Sequence, residues 1–485
     1  MVMKMSKMSK KYKYVYVIIG CLVLITYTGC KTPALVQREA NTKTPASYNG
    51  SQDTVNTAKL TWKEYFTDPY LAALIDTALK NNQELNITLQ EIEISRNEIR
   101  ERKGEYLPFV GIKGAAGVDK VARYTNIGAL EHHVEIKEGK ENPEPLPDFM
   151  LGLSATWEID IWKKLHNAKK AAVSRYLSTV EGKNFVITNL VAEIANSYYE
   201  LLALDNQLDI VKKNIEIQSN ALRIVKMQKE AAQVTELAVR RFEAEVLNTK
   251  SLQYAIQQRV TETENRINFL LGRYPQPIQR TSDNFEHLIP EAVHTGLPAQ
   301  LLANRPDIKQ AELELAAAKL DIKVAKARFY PSLGISAAIG YQAFDPTYLV
   351  KTPKSLLYSL AGDITAPLIN RNAIKAAYYN ANAKQIQAVY NYERTVLNAY
   401  VEVANQLAKI NNLEKSYDLK SKQVDALSQS IGISNSLFKS ARADYMEVLL
   451  TQRDALESKF ELVETKMQQM NAMVNIYRAL GGGWN

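Results

Sequence analysis

The sequence predicts a mainly α protein with a β component, built twice from one unit in which a pair of strands precedes a very long helical hairpin. Three observations predict it. Proline is absent between Pro147 and Pro275 and again after Pro367, and very long helices require such stretches, because an interior proline removes a hydrogen bond and clashes with the preceding turn. Within each stretch an apolar stripe recurs in alternating steps of three and four. Ahead of each, short segments alternate in steps of two.

In the first stretch the stripe runs through Ile187, Leu190, Ile194, Ser197, Leu201, Leu204, Leu208, Val211, Ile215, Gln218, Leu222 and Val225, a heptad pattern of the kind that packs helix on helix. Val389, Glu393, Val396, Tyr400, Val403, Leu407, Ile410, Glu414, Tyr417, Ser421 and Val424 repeat it with more polar interruptions. Each long helix reverses once, at residues 231–236 and 440–445, and runs back to a glycine, Gly272 or Gly481. The hairpins therefore span about 166–272 and 371–480.

The strands are expected at about 108–122 and 148–162, then at about 331–345 and 354–369. Leu151, Leu153, Ala155, Trp157 and Ile159 alternate with Gly152, Ser154, Thr156, Glu158 and Asp160, which suits a strand with lipid on one side and water on the other. Pro108-Phe109-Val110-Gly111-Ile112 aligns with Pro331-Ser332-Leu333-Gly334-Ile335, and Asn196-Ser197-Tyr198-Tyr199-Glu200 with Asn398-Ala399-Tyr400-Val401-Glu402. The chain thus holds an internal duplication, with a first repeat over 61–275, a connection over 276–300 and a second repeat over 301–485.

Four strands are too few to close a membrane barrel, and an open edge in hydrocarbon leaves backbone groups unpaired. Closure must come from further copies. Two copies give eight strands, an interior filled by side chains, whereas three give twelve and leave room for a pore. The helices are too long for a bilayer, where about 20 residues suffice, so they extend beyond it as a tunnel.

The N-terminus has a basic region (Lys4, Lys7, Lys10, Lys11, Lys13), an apolar run from Val15 to Ile25 and a small-residue exit at Thr28-Gly29-Cys30. This is the pattern of a secretory signal over 1–29. The exit resembles a bacterial lipobox, with Tyr27 where leucine usually stands, and implies diacylglycerol and N-acyl groups on Cys30. Residues 30–60, rich in Thr, Ser, Asn and Gln, read as a flexible tether. Cys21 and Cys30 are the only cysteines, so a chain that begins at Cys30 has no disulfide or thiolate metal site.

At 485 residues, with 46% hydrophobic and 23% charged residues, the composition excludes wholesale disorder and a multi-span helical membrane protein. The formal net charge is +8, five of it in the signal's lysines, and the remainder gives no nucleic-acid footprint. No zinc-protease motif, nucleophile elbow or phosphate-binding loop occurs, so no catalytic residue, metal site or cofactor is expected. His132-His133, near Glu131 and Glu135, is best accounted for by an exposed loop.

Leu301-Leu302-Ala303-Asn304-Arg305-Pro306-Asp307-Ile308, Ala311-Glu312, Val324-Ala325-Lys326-Ala327 and Tyr330-Pro331-Ser332 closely resemble the signature of the TolC-like outer-membrane factor family, specifically its NodT-type efflux lipoproteins. Trp62, Asp68-Pro69-Tyr70-Leu71, Trp157-Glu158-Ile159-Asp160, Leu271-Gly272 and Leu480-Gly481-Gly482-Gly483-Trp484 match too. The resemblance implies a homotrimer with one twelve-stranded β-barrel and a long α-helical coiled-coil barrel. It implies an exit duct in the outer membrane of a Gram-negative bacterium, serving a tripartite efflux pump with a periplasmic adaptor and an inner-membrane resistance-nodulation-division transporter. Metal-ion efflux and type I protein secretion are the alternative duties of such a duct, and a pore-less coiled-coil scaffold is the rival outside the family.

In that family the duct narrows at the periplasmic helix tips. The corresponding residues are Asp444 and Glu447, with Arg442 and Tyr445 beside them as partners for neighbouring helices. Arg305-Pro306-Asp307 is expected to be structural, opening a helix with proline at an early position. Trp157, Trp162, Tyr341 and Phe344 are candidates for the barrel's aromatic girdles, with core packing as the alternative.

Overall fold

The computed structural model describes residues 32–36, 38–48, 54–282, 285–288, 294–440 and 442–484. The signal segment and Cys30 lie outside the described residues. Helix α1 (Pro69–Asn81) leads to α2 (Gln83–Glu105), and strands β1 (Phe109–Asp119) and β2 (Leu146–Ile159) follow. The first long hairpin is α3 (Lys164–Glu230) with α4 (Glu236–Leu270). The second half repeats the order with α5 (Pro306–Ala327), β3 (Ser332–Ala343), β4 (Leu356–Thr365), α6 (Asn372–Lys439) and α7 (Tyr445–Ala479). At 67 and 68 residues, α3 and α6 each extend roughly 100 Å at 1.5 Å per residue.

Two compact units result, and they are not the two sequence repeats. One comprises Glu93–Leu177 and Leu313–Val389 with the described residues before Ala40, and holds the sheet. The other comprises the described residues of Ala40–Ile92, Ser178–Glu312 and Tyr390–Asn485, and holds most of both hairpins. Each draws on both repeats.

In the helical unit the stripe faces inward. Leu190, Ile194, Ser197, Leu201, Leu204, Val211, Gln218 and Val225 are buried. Between 190 and 204 the burial extends beyond the stripe to Val191, Ala195, Tyr198 and Leu202, because Leu71, Leu74 and Ile75 of α1 cover another side of α3. Asp68 caps α1 by accepting from the Tyr70 and Leu71 amides, and its second oxygen accepts from the Tyr198 hydroxyl at 2.8 Å.

The duplication is visible at the ends of the return helices. Gly272 has φ +68° and Gly481 φ +92°, the left-handed conformation in which a side chain is strained. A Cβ on Gly272 would lie 2.4 Å from the Asn81 carbonyl oxygen, and one on Gly481 2.8 Å from that of Asn304. The next residue in each repeat then ties down the helix end: Asn82 Nδ2 donates to the Leu270 carbonyl at 2.9 Å, and Arg305 Nη1 to that of Ala479 at 2.9 Å.

Arg305 is the more heavily committed of the two. Its Nε and Nη2 reach the two Asp307 oxygens at 2.9 and 2.6 Å, and Nη1 also reaches Glu402 at 2.7 Å. Burial works against its charge, but Asp307 and Glu402 outweigh it and raise the guanidinium's pKa. This is the structural role expected of Arg305-Pro306-Asp307.

Residues 32–48 correct the expectation of a free tether where they are described. The Arg38 carbonyl accepts from Gln385, the Asn41 amide donates to Glu393 at 3.0 Å, and Tyr48, 2% exposed, stacks on Tyr400 with centroids 5.4 Å apart. The polar composition that suggests a linker also suits an extended strap lying along a helix.

Candidate channel lining and hairpin tips

The sheet is fully antiparallel in the order β1-β2-β3-β4, leaving β1 and β4 as edges. Because register carries alternation across strands, one face collects Val110, Ile112, Leu153, Trp157, Ile339, Tyr358, Leu360 and Ile364, all exposed. The other collects Gly111, Lys113, Ser154, Thr156, Glu158, Ser336, Gln342, Ser359 and Asp363, with Phe109, Met150 and Leu357 as larger apolar exceptions. An exposed apolar face on every strand has hydrocarbon as its natural solvent.

Glycines show which face is concave. Gly152 and Gly340 stand directly opposite each other on the polar face, and a Cβ on Gly340 would lie 2.6 Å from the Gly152 Cα. The two strands crowd together on this side, as on the inside of a curved sheet. Gly334 does the same for Asp363, whose carboxylate occupies the space a Cβ would take, with Oδ1 2.6 Å from it. The concave face is polar and lined by small residues, which suits the inside of a water-filled barrel.

The aromatic candidates lie at the margins of this sheet and are not core residues. Trp157 is 37% and Trp162 46% exposed. Trp162 Nε1 donates to the Pro331 carbonyl at 2.7 Å and the ring stacks on Tyr330. Tyr341 is hydrogen-bonded to Thr352, and Phe344 stacks on Tyr348. His132 and His133 lie exposed at the end of the short helix Asn126–Glu131.

The two hairpin tips have the same build and different charge pairing. At the first, Ala232 takes a left-handed φ of 55°, Gln233 N–H closes back on the Gln228 carbonyl, and the Thr235 hydroxyl caps α4. Glu236 is held by Lys229 and by Arg240 at 2.8 Å. At the second, Arg442 N–H closes on the Leu437 carbonyl, and Asp444 is the N-cap of α7 without a side-chain capping bond.

Asp444, Glu447 and Arg442 are all exposed, and among the described residues none has an ion-pair partner within the protomer. The structure thus brings the four sequence-predicted residues together within about one helical turn. Tyr445 is placed differently from its three neighbours. It is half-buried against the apolar tip cluster around Val225, Phe242 and Val448, so packing holds its ring.

Sequence reasoning missed the Tyr48 strap and the Glu402 partner of Arg305. The Glu402 position is visible in the repeat alignment, where it falls on Glu200, but no local signal marks its contact with a residue 97 positions away.

An open sheet with one lipid-facing apolar side and a concave polar side, followed by helices of some hundred ångströms, defines a membrane channel. No helix is long and apolar enough to span a bilayer among the described residues. The match to the family model for outer membrane efflux proteins covers residues 74–273 and 297–482, and the chain belongs to that family.

OpmQ of Pseudomonas aeruginosa, a pyoverdine export outer membrane protein, is 26% identical over 423 residues, 87% of each chain. SrpC of Pseudomonas putida, a solvent efflux pump outer membrane protein, is 26% identical over 470 residues, 96% of each. A solved structure of CusC superimposes with a TM-score of 0.81 at 25% identity, covering 93% of this chain and 99% of that one. The fold is TolC-like.

The chain is therefore an outer-membrane efflux channel of a tripartite pump in a Gram-negative bacterium, with a helical barrel in the periplasm. It is a channel and not an enzyme. Its relatives are outer-membrane components of efflux pumps.

Proposed function

We propose that three copies close one twelve-stranded barrel and one helical tunnel, forming a passive exit duct for small organic molecules. The inner-membrane member is a resistance-nodulation-division transporter, and a periplasmic adaptor engages the hairpin tips. The observation that carries the trimer is the pair of unpaired edges, β1 and β4, on a sheet with an apolar face. Each edge needs a strand partner in hydrocarbon, and twelve strands are the smallest multiple of four that leaves a pore. Relatives named for solvent efflux and pyoverdine export support a small-molecule cargo.

The same reading includes acylation of Cys30 and insertion of its chains into outer-membrane lipid. Its support is the basic region, apolar run and Thr28-Gly29-Cys30 exit. Two or more acyl chains anchor stably where one does not.

The gate in this reading is the α6–α7 tip. Around a threefold axis Asp444 and Glu447 form rings of like charge that favour cations and need partners from a neighbouring copy, with Arg442 as the counter-charge. The support is the contrast between the tips: among the described residues Glu236 is paired inside its own protomer and the second tip's acids are not. Replacing Asp444 and Glu447 together by alanine is expected to raise single-channel conductance in planar bilayers several-fold and to weaken cation preference. Unchanged conductance and selectivity would sink the assignment.

A further inference from the structure

Just above the tips, the hairpins bury polar side chains that no step of conduction uses. The apolar tip cluster, centred on Val225, Phe242 and Val448, is one body. A second, centred on Leu204, Val211 and Ile256, begins farther along the same helices. Between them α3 contributes Gln218, flanked by Ile215 and Leu222. Thr249 of α4 falls between Phe242 and Leu252, and Gln452 of α7 between Leu449 and Phe460.

Gln218 is fully buried, Thr249 1% and Gln452 2% exposed. Neither amide's nitrogen or oxygen, nor the Thr249 hydroxyl, has a hydrogen-bond partner within the protomer. Ser458, farther up α7, is in the same condition at 3% exposed. An unpaired buried amide forfeits its hydration for nothing in return. Single unpartnered polar atoms occur elsewhere on these helices, at Ser197 and Asn471 for example, but Gln218 and Gln452 leave both amide atoms unmet, and they do so between two apolar clusters.

We propose that Gln218, Thr249 and Gln452 form the flexure of the channel's periplasmic end. The tip cluster below them moves as a body, and the amides gain hydrogen bonds in the loosened state that they lack in the packed one. The end is bistable because its hinge layer is satisfied only when open. This rests on the reading of the α6–α7 tip as the gate, and it adds where the gate bends.

The test places Gln218→Leu with Gln452→Leu in both the wild-type channel and the Asp444→Ala, Glu447→Ala background. Filling the layer with apolar groups is expected to raise thermal stability and to cut the open probability of the tip-acid variant by about tenfold, because the packed state no longer carries unmet amides. An unchanged open probability in that background overturns the proposal. So does a change of assembly state with opening unaffected, since a buried polar layer can instead fix register.

Hydrogen exchange on the wild-type assembly reads the hinge independently. Residues 219–230 should exchange markedly faster than 204–217, with the step at the layer, and uniform protection across it overturns the proposal. If the tip-acid variant alone fails to open the channel, the gate assignment falls, and this exchange profile still decides the flexure. It also decides the matter if the leucine variant does not assemble.

Discussion

Gly340→Val is expected to abolish assembled channel in the outer membrane, reducing it at least tenfold by heat-modifiable mobility, while Gly117→Val on the same concave face leaves it largely intact. Gly340 faces Gly152 directly, and even its Cβ would sit 2.6 Å from both the Gly152 Cα and the Leu151 carbonyl oxygen. The atoms in the way are backbone, so no rotamer change relieves the clash, and the β2–β3 pairing must open at its middle. Overpacking in a well-packed core costs up to about 3 kcal/mol, and here it acts on the central pair of a four-stranded sheet. Gly117 lies on β1, where a Cβ meets nothing within 4 Å. Normal assembly of Gly340→Val would mean that the concave face is assigned to the wrong side.

Arg305→Ala is expected to destabilise the folded chain by about 3 kcal/mol or more, the range for removing one partner of a buried ion pair. The Arg305 side chain is 6% exposed, that of Asp307 17% and that of Glu402 45%. Glu402 recovers much of its hydration once the arginine is gone, so most of the loss comes from Asp307 and from the Ala479 carbonyl that ends α7. Arg305→Lys should restore only part, because one ammonium cannot reproduce the fork on Asp307 together with the bonds to Glu402 and Ala479. Urea unfolding of the detergent-extracted protein, followed by circular dichroism, reads both variants. Wild-type stability for Arg305→Ala would contradict the role given to this cluster.

The long helices and strand faces were legible because each rests on a period. Gln218 and Ser197 sit inside the heptad stripe and are buried there despite being polar, so the spacing identified the inward face better than residue type did. Burial off the stripe, at Val191, Ala195 and Tyr198, was not legible because it depends on α1 covering a second side of α3. The alternation in β2 and β3 predicted two faces. It could not say which was concave, since that follows from the Gly152–Gly340 pairing across 188 residues of chain.

At the tips, the breaks at 231–236 and 440–445 located the turns. The difference between them lies in side-chain pairing, Lys229 with Glu236 at one and, among the described residues, nothing comparable at the other, and both tips look equally charged in one dimension. The family resemblance makes Tyr445 a partner for neighbouring helices. Within the protomer its ring also packs with Val225 and Phe242, distant in the chain, and with Val448 one turn on, and that packing was not legible in one dimension.

In the proposed function one chain is a third of a closed object. Native mass spectrometry of the complex extracted from the outer membrane in mild detergent tests it most directly. The expected result is a single species with the mass of three chains and their lipids, dissociating only when the strands unfold. A folded monomer or dimer that still conducts in bilayers would contradict it, because four or eight strands would then suffice for the pore.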